Sequence, residues 1–414
     1  MIQQNTEQPP FWFEVHSRLP GRHGRTGAIH TPHGVIQTPA FIPVGTQATL
    51  KALTPEQLAA TGAQAMLANA YHLYLRPGAE IVDQAGGLGA FANWPGPTFT
   101  DSGGFQVMSL GVGFKKVIDM TGQEQGQHAA KKDKLAWIDD DGVTFKSHLD
   151  GSRHRFNPEV SMQIQHQLGA DIIFSFDELT TLHHSYAYQV ESLARRTHPW
   201  AERSLREHKR LTAERADKPY QALFGVIQGA DYEDLRRQSA RFYGERDFDG
   251  FGLGGALRKE NIGQIVGWMC DELPEAKPRH MLGISEPDDI FACIEAGADT
   301  FDCVSPARVG RNGALYSPYG RINITGRRFK DDFRPFDANC DCYTCQNYSR
   351  AYLHHLFRAK EMLAGTLATI HNQRFIVRLV DNIRQSIADG SFDELRAKVL
   401  AEYYTPAAER PQGW

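Results

Sequence analysis

Residues 222–255, ALFGVIQGADYEDLRRQSARFYGERDFDGFGLGG, hold the pattern that decides the fold. A compact apolar run, ALFGVI, ends in Gln228-Gly229. An amphipathic stretch, YEDLRRQSARFYG, then closes on Gly244, and a second apolar run, FGLGG, begins at Phe251. Apolar run, helical period and apolar run together predict a strand–helix–strand unit. Its strands lie parallel, because the helix returns the chain to the same end of the sheet.

Outward from this stretch the unit recurs. The apolar runs are FIPV at 41, AMLAN at 65, TFT at 98, DIIFSF at 171, ALFGVI at 222, FGLGG at 251, HMLGI at 280 and TFDCV at 300. Between most of them lie amphipathic segments such as TPEQLAATG, NPEVSMQIQHQLG and EPDDIFACIEAG, several opening on Pro-Glu and closing on Gly as helix ends prefer. Eight strand–helix repeats predict an α/β fold, a (β/α)8 TIM barrel, since eight is the closure number. An open doubly wound sheet is the competing arrangement of the same alternation. Upstream, FWFEV, GAIHT and GVIQT with a tight turn at Pro32 to Gly34 predict an N-terminal β-hairpin region.

Two regions break the rhythm. Residues 111–142 are polar, weakly periodic and too long for an ordinary connection, so they read as an insertion. It follows the third strand and should emerge on the catalytic face, where an ordinary surface loop is the leading expectation, and a cover over the pocket or a ligand contact through Lys131, Lys132 and Lys134 the alternatives. VTFKSHLDGSRHRF after it reads as a hairpin turning at Asp150-Gly151. From Gln346 to Tyr404 the period is helical, with a cysteine cluster at its head. The expected division is a barrel domain over 11–335 and a zinc-binding, mainly helical subdomain over 336–404.

Composition narrows the class. The 414 residues are 41% hydrophobic and 23% charged, which suits a globular chain and excludes bulk disorder or a coiled coil. No apolar run approaches the ~18 residues of a membrane span. The opening MIQQNTEQPP lacks the basic and apolar parts of a secretory signal, so a cytoplasmic setting is expected. Forty-five basic and forty-nine acidic residues leave a net charge of −4, which alone argues against a nucleic-acid partner. A total cannot see patches, however. Arg308 to Lys330 carries six basic residues and no acidic one, whereas Arg195 to Lys218 mixes eight basic with four acidic and reads as an ordinary exposed helix.

Cys270, Cys293 and Cys303 stand alone, but Cys340, Cys342 and Cys345 form C-x-C-x-x-C. Three thiolates with one histidine complete a tetrahedral structural zinc site, and His354, His355 and His371 all remain candidates. At the C-terminal strand ends, where barrels do their chemistry, stand Asp101-Ser102-Gly103-Gly104-Phe105, Asp177-Glu178, Gln228-Gly229, Gly254-Gly255 and Asp302. An isolated Asp after a strand is commonly a helix N-cap. Several carboxylates converging from different strands suit an acid–base pair or a nucleophile with its helper.

Taken together, TDSGGFQVMSL at 100–110, FKSHLDGS at 145–152, FDE at 176–178, GVIQG at 225–229, FDCVSPARVGRNG at 301–313 and the cysteine cluster with a distant His-Asn resemble the tRNA-guanine transglycosylase (queuine tRNA-ribosyltransferase) family, in its bacterial-type branch. The resemblance implies a zinc enzyme that exchanges guanine at the tRNA wobble position for a 7-deazaguanine. Asp302 would be the nucleophile at the ribose C1′ and Asp101 the general acid/base, a pairing that suits an oxocarbenium-like state. Ser102, Asp177, Gln228, Gly255 and Ala256 would bind the base, with Phe105 and Leu282 sandwiching it. Arg308 and Arg311 would meet the anticodon loop, and Cys340, Cys342, Cys345 and His371 would hold zinc. Partners implied are tRNA with a G-U-N anticodon, a free 7-deazaguanine base and a second copy in a homodimer.

The chain departs from the bacterial pattern at three places. Phe105 stands where Tyr is usual, Leu179 where Cys is usual, and Ala256-Leu257-Arg258 where Leu-Ala-Val is usual. A smaller residue at 256 suggests room for the bulkier base queuine rather than 7-aminomethyl-7-deazaguanine, while an inward Arg258 would fill that room. Glu260 matches a glutamate that sets the pocket peptide. Two other readings share some of these features: a retaining glycoside hydrolase on the same barrel, and a non-catalytic tRNA-binding partner subunit. A metal-dependent amidohydrolase would want His-x-His at the first strand end, and FIPVGTQ has none.

Overall fold

The computed structural model describes residues 9–112 and 136–414. Eight parallel strands form its central sheet: Ala40–Pro43, Met66–Ala68, Thr98–Thr100, Ile172–Phe174, Ala222–Ile227, Gly250–Leu253, Arg279–Met281 and Thr300–Cys303. They stand side by side in chain order, and the eighth returns to the first with Phe301 opposite Phe41. A parallel bridge between Val44 and Leu67 closes the cylinder. All eight apolar runs are barrel strands, and the open sheet is excluded.

Strand periodicity divides the residues between two cores. Ala222, Phe224 and Val226 face an interior shared with Ile42, Leu67, Phe99 and Phe174, while Leu223 and Ile227 pack outward against the helices. The glycines of the sixth strand make room for those interior rings. A Cβ at Gly250 would lie 2.5 Å from the Phe224 ring, and one at Gly252 3.1 Å from that of Phe174.

The N-terminal end of the barrel is plugged by an antiparallel sheet of Trp12–Arg18, Arg25–Thr31 and Gly34–Thr38, whose Ile29 and Ile36, with Phe11, join the interior core. The expected hairpin is its second half, with Thr31 paired to Gly34 across the turn. Three aspartates, each directly preceding a strand, brace this end. Asp171, Asp249 and Asp299 accept the backbone N–H of Thr98, Leu223 and Arg279, each at 2.8 Å and each one strand back. Asp299 also takes Nε and Nη2 of the buried Arg25 at 2.9 and 2.7 Å, and Asp171 holds Nδ1 of His33 at 2.7 Å. That contact raises the His33 pKa above its ordinary value. The plug is thus tied to the barrel by charge as well as by apolar packing.

The hairpin Val143–Lys146 and Arg153–Phe156 forms as expected, but Ala136–Ile138 adds a third strand. The segment read as an insertion over 111–142 therefore begins in the helix Gly104–Val112 and closes with the strand Ala136–Ile138 and its turn into Val143. Lys131, Lys132 and Lys134 lie outside the described residues. Arg195 to Lys218 departs from the expected exposed helix. Its start is a π-turn over Leu193–Thr197, and Arg196 is buried against Glu178.

Beyond the eighth strand come the short helix Ser305–Arg311 and a hairpin, Ala314–Ser317 and Gly320–Asn323, which the basic character of this stretch had hidden. The helices Tyr343–Asn347, Arg350–Ala359, Met362–Asp389 and Phe392–Tyr403 follow. The 28-residue helix Met362–Asp389 serves two cores. Val380 and Ile383 join the outer barrel core, while Leu367 and Ile370 pack with Leu50, Leu53 and Met66. Among the described residues no helix is long and apolar enough to cross a membrane.

Replacing Asp299 with Ala would leave the Arg25 guanidinium buried without its partner. Breaking one side of a buried pair costs about 3–5 kcal/mol. Chemical denaturation is expected to show that loss for Asp299→Ala, and a smaller one for Asp171→Ala, whose His33 partner is half-exposed.

Candidate active site

Every base-binding and catalytic candidate stands at the C-terminal rim of the barrel. Asp101 follows the third strand, and its carboxylate is held from three sides. Asn69 Nδ2 and Gln106 Nε2 donate to Oδ2 at 2.6 and 2.8 Å, and the Ala70 backbone N–H donates to Oδ1 at 2.8 Å. Burial nevertheless raises its pKa, and the nearby charge of Asp302 adds to the shift. Asp302, in the eighth strand, accepts on Oδ1 from the Gly283 N–H at 3.1 Å and from His280 Nε2 at 3.2 Å.

Asp177 follows the fourth strand and is nearly buried. Gln228, after the fifth, donates Nε2 to Asp177 Oδ2 at 2.6 Å, while its own Oε1 is buried without a partner among the described residues. Burial pushes the Asp177 pKa up to about 7 against the hydrogen bond from Gln228, with the charges of Glu178 and Asp101 adding to the rise. Glu178 has a different neighbourhood. Arg196 Nε and Ser192 Oγ reach its Oε2 at 2.5 Å, and Tyr188 Oη reaches Oε1 at 2.7 Å. Adjacent carboxylates thus divide their tasks: Glu178 anchors the loop, and Asp177 keeps its capacity for a ligand.

Gly255, after the sixth strand, has φ +90°, and a Cβ there would collide with Gln228 Oε1 and lie 2.9 Å from Arg236 Nη2. Only glycine lets this backbone lie against Gln228. Beneath it the buried Arg236 donates to the carbonyls of Ala230 at 2.7 Å, Gly254 at 2.7 Å and Ile227 at 3.2 Å, fixing two strand ends together. Ser102, whose Oγ accepts from the Gly104 N–H at 3.3 Å, is buried, while Phe105 and Leu282 are partly buried.

The departures from the bacterial pattern resolve in part. Ala256 is buried, and Arg258 pairs with Asp231 at 2.5 Å on a half-exposed side chain. Glu260 is exposed and makes no hydrogen bond among the described residues, so it does not brace the Ala256–Leu257 peptide in this structure. Arg308 and Arg311 lie on the helix directly after the eighth strand. Arg308 is exposed, Arg311 is partly buried, and neither is ion-paired among the described residues. Of the remaining basic residues there, Arg321 is tied to Glu286, and Arg328 lies over the Phe329 ring.

The cysteine cluster assembles. Nδ1 of His371 lies 3.7, 3.6 and 3.3 Å from Sγ of Cys340, Cys342 and Cys345, and the four ligand atoms all fall within 4.8 Å of one another. His354 instead points Nδ1 at the Ile324 carbonyl, and His355 stacks on Tyr352. The Tyr316 carbonyl lies 2.7 Å from His371 Nε2 and accepts its proton, which leaves the Nδ1 lone pair for a metal. Donor set, spacing and outer partner all fit a tetrahedral metal ion.

Sequence reading missed Asn69, Gln106, Gly283, Arg236 and His280. Asn69 was findable, since it follows the second strand as Asp101 follows the third. The others carry no local signal: Gln106 and His280 look like any polar residue in an apolar run, Arg236 like its exposed helix neighbours, and Gly283 acts only through its backbone N–H.

A closed α/β barrel with carboxylates on its C-terminal rim and a Cys3His cluster in an appended helical region defines a class of barrel enzyme. A family model described as queuine tRNA-ribosyltransferase matches residues 21–405. The queuine tRNA-ribosyltransferase of Roseiflexus sp. (strain RS-1) is 46% identical over 401 residues, covering 94% of this chain and 98% of that protein. Those of Moorella thermoacetica and Caldanaerobacter subterraneus subsp. tengcongensis are each 44% identical, covering 95% and 92% of this chain and 98% and 94% of those proteins. The chain belongs to the queuine tRNA-ribosyltransferase family and is a transferase.

Purified protein is expected to carry one tetrahedral metal ion per chain by elemental analysis. Cys345→Ala should lose it and lower Tm, because Cys340, Cys342 and Cys345 belong to the core that includes Leu353 and Leu367. A metal-free chain of unchanged Tm would contradict this assignment.

Proposed function

We propose that this transferase exchanges guanine at the tRNA wobble position for a 7-deazaguanine base, by double displacement through a covalent tRNA–enzyme intermediate. The observation that carries the reading is the convergence of Asp302, Asp101 and the Asp177–Gln228 pair on one rim, in a chain of this family. Asp302 attacks the ribose C1′. Asp101, whose pKa is raised by burial, gives a proton to the departing guanine and takes one from the incoming base. Asp177 accepts from N1–H and the exocyclic amine of the base, and Gln228 and the Gly255 N–H meet its carbonyl. Ser102 and Ala256 line the pocket, and Phe105 and Leu282 hold the ring between them.

Arg308 and Arg311, with no acidic partner among the described residues, suit phosphates of the anticodon loop in tRNAs with a G-U-N anticodon. Zinc is the ion that best matches three thiolates and one imidazole. We take residues 11–335 as the catalytic domain and 336–404 as its zinc-bound support, in a cytoplasmic homodimer. A stacked series of Tyr348, Tyr352 and His355 beside the 80% exposed Phe333 supports a self-association face there. Ala256 and the outward Arg258 leave the pocket wall short, which favours queuine or another bulky salvaged base over 7-aminomethyl-7-deazaguanine.

Labelled guanine in tRNA provides the test. Release should require a free base, with queuine outperforming 7-aminomethyl-7-deazaguanine, and a denaturing gel should trap a covalent adduct. Asp302→Asn is expected to abolish both. An adduct that survives Asp302→Asn would rule out this nucleophile, and a wild type that forms none would favour the non-catalytic partner subunit.

A pH dependence follows from Asp177. The base needs the ionised carboxylate, but burial pushes its pKa up to about 7. Guanine affinity is therefore expected to be full above pH 7 and to weaken about tenfold per unit below it. Calorimetry from pH 5.5 to 8.5 checks this, and Asp177→Asn should flatten the profile at a much weaker Kd.

A further inference from the structure

Asp302 is held on one side only. Oδ1 accepts from the Gly283 N–H and from His280, while Oδ2 has no hydrogen-bond partner among the described residues. His280 is fully buried in the seventh strand. Its Nδ1 lies 2.8 Å from Oγ1 of Thr300, and its ring is wedged between Phe99 and Phe174 at centroid distances of 5.4 and 5.3 Å. An ionised carboxylate only accepts, so Nε2 carries the hydrogen in its contact with Asp302. Two packed rings and the Thr300 hydroxyl leave the imidazole one orientation.

We infer that His280 is a positioning residue for Asp302, dividing the carboxylate into an anchored oxygen, Oδ1, and an attacking oxygen, Oδ2. The inference rests on the double displacement proposed above. In the first step Oδ2 bonds to C1′ and the C1′–N9 bond breaks. Its electron pair leaves with guanine, which takes the proton of Asp101. In the second step a ring nitrogen of the incoming base bonds to C1′ and the C1′–Oδ2 bond breaks. Its electron pair returns to the carboxylate, and the proton of the base passes to Asp101.

The returning charge spreads onto Oδ1, where His280 and Gly283 already donate. Donors placed there stabilise the departing carboxylate more than they stabilise the ester. His280 therefore acts most on the second step. It touches neither the base nor the sugar in this scheme, so base affinity does not depend on it.

Single-turnover adduct formation and its chase by free base, followed on denaturing gels beside calorimetric guanine binding, test this. His280→Leu fills similar space without a donor. It is expected to bind guanine within about twofold of wild type but to chase the adduct about 10- to 100-fold more slowly. His280→Gln, whose amide N–H reaches the place of Nε2, should recover most of the rate. Wild-type chase in His280→Leu, or equal slowness in His280→Gln, overturns the positioning role. Should His280→Leu not fold, Thr300→Val frees the ring by removing only the hydroxyl. A slowed chase with unchanged guanine affinity is expected there, and a wild-type chase overturns the role. A wild type that forms no adduct instead removes the proposed function, and this inference with it.

Discussion

Closure of the sheet between Val44 and Leu67 is the constraint on which the rest depends. Once eight parallel strands form a ring, the residues after each strand face one another across a mouth, however far apart they stand in the chain. Asp101, Asp177, Gln228, Gly255 and Asp302 meet for that reason alone. Closure also demands an interior of matched sizes, supplied by the rings of Phe99, Phe174 and Phe224 against the bare backbone of Gly250 and Gly252. The opposite end carries the mechanical load. There Asp171, Asp249 and Asp299 tie neighbouring strands together in pairs, and Asp171 and Asp299, through His33 and Arg25, hold the plug in place.

At the mouth, environment rather than residue type sets the task of each carboxyl group. Glu178 is ion-paired to Arg196 and serves structure. Asp177, one residue away, is buried with only an amide for company, so its proton affinity rises toward neutrality. Asp101 has three donors, yet burial, with the charge of Asp302, outweighs them and raises its pKa. Asp302 keeps one oxygen unengaged among the described residues. These differences are the ones that the roles proposed for them, proton donor, base reader and nucleophile, would require.

The Cys3His cluster is coupled to that mouth through the chain that follows Asp302. The helix Ser305–Arg311 leads into the hairpin Ala314–Ser317 and Gly320–Asn323, whose Tyr316 carbonyl orients His371. Asn372, next in sequence, accepts the Tyr316 N–H at 2.9 Å and donates to the Pro306 carbonyl at 3.0 Å. A metal bound here would stiffen the platform that carries Arg308 and Arg311.

Read alone, the sequence determined the eight strands, the working rim and the three thiolates, because strand–helix periodicity and motif spacing are local properties of the chain. It also placed Asp101, Asp177 and Asp302 at strand ends. Residue spacing alone left His354, His355 and His371 open, and only the family resemblance pointed to His371; nothing in the sequence showed that Arg196 is buried while Arg195 beside it is exposed. Nor did it reveal that Arg258 turns away to Asp231, or that His280 stands behind Asp302. Each of these depends on which side chains meet across the ring or between helices distant in sequence. Only tertiary structure decides such contacts, since burial and partner geometry are set by closure and packing rather than by the order of residues.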